Sequence, residues 1–185
     1  MELDTLTPKE LLHFALHASK NKRSDSAILY LKHLIEIQPE NLDGLFLLGS
    51  EYAEIEMYDE GIVFMEKALE ISPDAHLVRY QMSMLQLTLN QNEKAIENLQ
   101  PLTDIEDSNI FFHYAKGLIA INDKDIEQAK SHIQSGLELQ NDNIPLKENM
   151  TNLLARLSST EAENITDNPE TTDSSSKLFL SVYDS

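Results

Sequence analysis

Residues 42–75 read LDGLFLLGSEYAEIEMYDEGIVFMEKALEISPDA, and this stretch decides the fold. Its apolar residues recur at the spacing of one face of a helix, first around Leu45, Leu48 and Tyr52, then around Ile62, Met65 and Ile71. That period belongs to amphipathic helices and not to strands. Two small residues, Gly49 and Gly61, stand twelve apart, and Pro73 closes the segment. Shifting by 34 residues finds the pattern again in segments beginning at Pro8, His76 and Ile110. The eighth residue of the four segments is Ala15, Gly49, Ser83 and Gly117; the twentieth is Ala27, Gly61, Ala95 and Ala129. Small side chains at those two columns let a pair of antiparallel helices approach closely. Other columns stay apolar throughout: Leu31, Met65, Leu99 and Ile133, then Ile37, Ile71, Ile105 and Leu139. Self-similarity at such a period is the mark of a stacked-repeat architecture. Thr7-Pro8-Lys9-Glu10 reads as a helix start, with Thr7 as N-cap, Pro8 in the first helical position and Glu10 closing a capping box.

Segment two, with Leu45, Leu48, Gly49, Tyr52, Gly61, Met65, Ala68 and Pro73, resembles the tetratricopeptide repeat (TPR) family. Segment one follows closely through Leu11, Phe14, Ala15, Ala18, Ala27, Leu31, Leu34 and Pro39. Segments three and four depart at Arg79, His113, Gln86 and Lys116, and Asp107 and Asn141 replace the closing Pro. The resemblance covers residues 8 to about 143. It implies an all-α fold, a right-handed superhelix of antiparallel helix pairs (an α-solenoid). The expected organisation is four repeats over 8–41, 42–75, 76–109 and 110–143, with a capping helix over 144–157 that completes a nine-helix domain over 1–157. Repeat arrays need such a cap because each repeat buries its apolar face only against neighbours.

Composition then shifts. Residues 158–177 are rich in Ser, Thr and acids, with Ala162 and Ile165 as the only aliphatics, and read as a disordered acidic linker. The tip over 178–185 turns apolar again through Leu178, Phe179, Leu180, Val182 and Tyr183.

The 185 residues carry 14 basic and 32 acidic side chains, a net charge of -18. This argues against nucleic acid and anionic membranes as partners, since both are bound through cationic patches. Zero Cys excludes disulfides, thiolate metal sites and thiol nucleophiles. The acidic start Met1–Thr7 lacks the pattern of a signal peptide, and no apolar run approaches the ~20 residues of a membrane span, so a cytoplasmic location is expected. His13 and His17 are four apart, but no spacing supplies a third ligand; His113 occupies a column where the family packs a large residue. No Gly-rich phosphate loop or nucleophile elbow is present. The chain is therefore read as a non-enzyme without metal or cofactor.

By the resemblance, columns two, five, nine and twelve of each repeat line a concave groove. The groove residues expected from it are Leu12, Phe46, Tyr80, Met84, Leu87, Phe111, Tyr114, Leu118 and Ile121. These are apolar where TPR co-chaperones that clamp an acidic C-terminus carry Lys, Arg and Asn. The expected function is a protein–protein interaction module, an adaptor or small chaperone that holds an extended apolar segment of a partner. The chain's own tip, Leu178 to Tyr183, is a second candidate occupant. The alternative is a scaffold that self-associates into a homo-oligomer through the repeat edge or the tail.

Overall fold

The computed structural model describes residues 3–164. Among the described residues there are nine α-helices and no strand: α1 Pro8–Lys20, α2 Ser24–Ile37, α3 Leu42–Glu54, α4 Tyr58–Ile71, α5 His76–Thr88, α6 Asn92–Leu99, α7 Ile110–Asn122, α8 Ile126–Glu138 and α9 Ile144–Asn164. Short 3-10 turns cover Leu3–Thr5 and Gln100–Thr103. The odd-numbered helices begin at 8, 42, 76, 110 and 144 and the even-numbered ones at 24, 58, 92 and 126, so both series advance by 34.

Local chemistry sets these boundaries. At the start of α1 the Thr7 backbone N–H and hydroxyl donate to Glu10 Oε2 at 2.8 and 2.6 Å, and the Glu10 N–H donates to Thr7 Oγ1 at 3.3 Å. This is the expected capping box, and its hydrogen bonds hold the Glu10 carboxyl below the usual carboxylate range. The first helices of all four repeats end alike. Lys22, Glu56, Asn90 and Lys124 are left-handed, with φ of 53°, 63°, 58° and 62°, and they too recur every 34 residues. The N–H that follows each reaches back five residues: Arg23 to Ala18 O, Met57 to Tyr52 O, Gln91 to Gln86 O and Asp125 to Ala120 O, at 2.8–3.0 Å. The motif satisfies carbonyls that a helix end would otherwise orphan.

The chain divides into two compact units, one up to Leu85 and one from Gln86 on, with the boundary inside α5. In the first unit, Leu11, Ala15, Leu31, Leu34, Leu48 and Tyr52 form a core that Leu6 closes at one end. There α3 and α4 touch backbone to backbone. A Cβ on Gly49 would lie 2.9 Å from Gly61 O, and one on Gly61 would lie 2.8 Å from Gly49 O. A column of cations and rings joins three helices: Lys32 Nζ stands 5.5 Å from the Tyr52 ring centroid, Tyr52 stacks on Phe64 at 5.5 Å, and Lys67 Nζ lies 5.2 Å from the Phe64 centroid.

In the second unit the departures from the repeat pattern find local partners. Gln86 accepts a 2.9 Å hydrogen bond from Asn98 Nδ2. Lys116 Nζ lies 5.8 Å from the Phe112 ring centroid. His113 meets His132. Arg79, in the first unit, donates to Pro73 O at 2.8 Å.

Two boundaries differ from expectation. α6 stops at Leu99 and gives way to the 3-10 turn, because Pro101 offers no N–H to continue the ladder. Ile105 therefore lies beyond the helix that its column implied. α9 runs past Leu157 to Asn164, so 158–164 is helix and not linker. Ser158 and Ser159 direct their hydroxyls back to Leu154 O and Arg156 O, and Glu and Ala that follow are good helix formers. The linker beyond 164 and the tip over 178–185 lie outside the described residues.

Candidate functional site: the exposed face of the first helices

An α-helix brings residues three, four and seven apart onto one face. Columns two, five, nine and twelve therefore share a side of each first helix. In α1 this side carries Lys9, Leu12, Leu16 and Ser19, and the opposite side buries Leu11, Ala15 and Ala18. Leu12 is half-buried and Leu16 is 47% exposed. In α3, Phe46, Leu47 and Ser50 are half-buried. The Ser50 hydroxyl is directed to Phe46 O at 3.1 Å and to Gln81 Oε1 of α5 at 3.3 Å. The first unit thus offers Leu12, Leu16 and Phe46 as apolar surface.

The remaining residues expected to line a groove divide sharply. Phe111 is half-buried. Tyr80, Met84 and Leu87 of α5 are buried, and so are Tyr114, Leu118 and Ile121 of α7. These six are each no more than 3% exposed. The Tyr114 ring lies over Gly136 of α8, where a Cβ would clash with Tyr114 Cε1, so the ring packs against α8. Burial pushes its phenol up to about 12. Periodicity identified residues that share a face but not which of those faces is covered.

A charge pattern escaped the sequence reading. Residues 1–34 hold five basic and four acidic side chains, net +1; residues 35–185 hold nine and twenty-eight, net -19. On α1 the exposed side chains Lys9, His13, Leu16 and Lys20 follow one another at helical spacing. The same columns of α3 carry Asp43, Leu47, Ser50 and Glu54. The signal was present in columns two, six and thirteen, which the apolar pattern does not include.

One titratable pair stands apart. His113 Nδ1 of α7 and His132 Nδ1 of α8 are 3.5 Å apart, with Phe112 set edge-on to both rings. Burial, then the charges of His113 and Lys116, hold His132 below the usual imidazole range. No group of three or more His, Asp or Glu able to hold a metal lies among the described residues.

Outward-facing apolar residues also recur. Leu29 and Ile37 of α2 are matched 34 residues later by Val63 and Ile71 of α4, and all four are exposed. No helix among the described residues is long and apolar enough to cross a membrane.

Comparison with known proteins bears on this architecture. The tetratricopeptide repeat family model matches residues 42–75 and 112–143. Over 100 residues the chain is 24% identical to anaphase-promoting complex subunit 3 of Schizosaccharomyces pombe, a match that covers 54% of this chain and 15% of that protein. The chain thus spans less than a sixth of that relative's length. Among solved structures, MamA (residues 41 to the end) from Desulfovibrio magneticus RS-1 superposes with a TM-score of 0.63 at 16% identity, over 96% of this chain and 93% of that one. YrrB, described as a TPR protein with an unusual peptide-binding site, gives 0.57 at 16% identity over 94% and 82%.

Proposed function

Because the chain is a tetratricopeptide-repeat protein, we propose that it is a cytoplasmic, non-enzymatic adaptor or small chaperone that holds an extended apolar segment of a protein partner. Tetratricopeptide repeats are protein-interaction modules, and the finer reading rests on one observation. Leu12, Leu16 and Phe46 present apolar surface on adjacent first helices. Leu16 is 47% exposed, so about half of it is left uncovered. Apolar surface that the fold does not consume marks a docking place. YrrB, a structural relative, is described by its peptide-binding site. The chain carries a segment of suitable character itself, at Leu178, Phe179, Leu180, Val182 and Tyr183, which makes its own tail a candidate occupant.

The test is Leu16→Glu. Its side chain is half in water, so helicity should be retained, while an apolar peptide should lose binding because a charge would be buried unpaired in the complex. Binding of apolar peptides that is indifferent to Leu16→Glu and to Phe46→Ser would refute the site.

A second reading is self-association through the outward columns of α2 and α4. The in-register exposure of Leu29, Ile37, Val63 and Ile71 favours it. Sedimentation of Leu29→Lys/Val63→Lys against wild type tests it: a concentration-dependent larger species should vanish in the variant.

A further inference from the structure

The open face is not uniform in charge, and its polarity specifies the partner. Every ionisable side chain on the exposed stripe of α1 is a base: Lys9, His13 and Lys20, with His17 beside them. The only acid in α1, Glu10, is engaged by Thr7 in the capping box. The nearest columns of α3 are acidic at Asp43 and Glu54. Ion pairs join His33 with Asp4 and Glu36, and Lys130 with Glu127, and none of these involves Lys9 or Lys20. Lys9 and Lys20 are exposed on a chain whose residues beyond 34 carry a net charge of -19, so they are places where a carboxylate is attracted and not repelled.

We propose that the open face of α1 and α3 binds an extended peptide in which an apolar core is flanked by a carboxylate on one side and a base on the other. The carboxylate end lies over α1, within reach of Lys9 or Lys20, and the basic end over α3, within reach of Asp43 or Glu54. This rests on the docking place argued above and adds the class and direction of the occupant. The cations occupy columns two, six and thirteen. They frame the apolar residues Leu12, Leu16 and Phe46 instead of replacing them, so charge sets the orientation while apolar contact supplies the affinity.

Fluorescence anisotropy tests this on the full chain. The probe is a labelled peptide of sequence Lys-Leu-Phe-Leu-Ser-Val-Tyr-Asp, matching residues 177–184, which carries a base, an apolar core and an acid in that order. At low salt the double variant Lys9→Glu/Lys20→Glu should weaken binding by about tenfold, the scale of a few exposed charge pairs reversed. A probe with its final Asp changed to Lys should bind wild type more weakly and should recover its affinity on the double variant. Both differences should shrink at 0.5 M salt, where screening reaches about one contact distance. The double variant changes only exposed side chains, so circular dichroism should match wild type. If the Lys-ended probe binds wild type as well as the original does, or if the double variant binds unchanged, the proposal fails. Leu16→Glu separates this failure from that of the docking site. Loss of binding in Leu16→Glu without charge dependence leaves an apolar site of no fixed polarity. A probe that binds neither wild type nor a chain ending at Ser176, which lacks the competing copy of the same sequence, overturns both.

Discussion

Replacing a helical glycine by alanine ordinarily stabilises a helix by about 1 kcal/mol. Gly49→Ala and Gly61→Ala should do the opposite. The new methyl of Gly49→Ala would sit 2.9 Å from Gly61 O and 3.0 Å from Met65 Cγ; that of Gly61→Ala would sit 2.8 Å from Gly49 O. Met65 can turn away, but the two carbonyls belong to helix backbones and move only if α3 and α4 part by several tenths of an ångström. Such overpacking costs about 1–3 kcal/mol. After the helix-propensity gain, each single variant should lose up to about 2 kcal/mol. The double variant tells more than either single one. Once α3 and α4 have parted for the first methyl, the second finds part of its room made, so the losses should sum to less than the two singles. Gly44→Ala is the comparison: its closest neighbour is Leu34 Cδ2 at 3.0 Å, the end of a flexible side chain, so it should cost less. Urea unfolding followed by circular dichroism measures all four. If Gly49→Ala or Gly61→Ala raises stability as an isolated helix would, the close approach does not constrain the pair and the reasoning is wrong.

Two further outcomes follow from local chemistry. His132 is held below the ordinary imidazole value in the fold, so on acidification the unfolded chain takes up its proton first. Its contribution to stability should be complete above pH about 6.5 and lost as pH falls through the folded value. The urea midpoint between pH 8 and 5 should fall less steeply in His132→Gln, and parallel curves would show that the pair does not matter. Glu56 holds a left-handed conformation at φ 63° that disfavours a Cβ, so Glu56→Gly should stabilise by up to about 1 kcal/mol. Asn90→Gly should gain less, because Asn tolerates that region; equal melting shifts would count against the strain argument.

Much of the fold was legible because the columns that recur are the ones the geometry constrains. Gly49 and Gly61 had to be small for α3 to touch α4, and Thr7 with Glu10 had to be spaced three apart to cap α1. The left-handed turn residues were not legible. Lys22, Glu56 and Lys124 carry no preference for positive φ, and the backbone hydrogen bonds around them, not their side chains, impose it. The end of α6 depended on whether Pro101 or the register would prevail, and local sterics prevailed. For the site, sequence placed Tyr80, Met84, Tyr114 and Leu118 on the same face as Leu12 and Phe46 but could not tell that they are buried.

The turns between paired helices are only three residues long, 21–23 between α1 and α2 and 55–57 between α3 and α4. Closing so short a loop costs little chain entropy, and each pair brings together residues near in sequence. Folding should accordingly be quick, on the microsecond-to-millisecond scale of helical proteins with local contacts. Opening should be graded as well. In the first unit α1 has helices on fewer sides than α3, so its amides should exchange sooner, at a free energy below that of global unfolding. The helix that bears Leu16 and the cations would then be the one best able to adjust its pitch as a peptide settles against it.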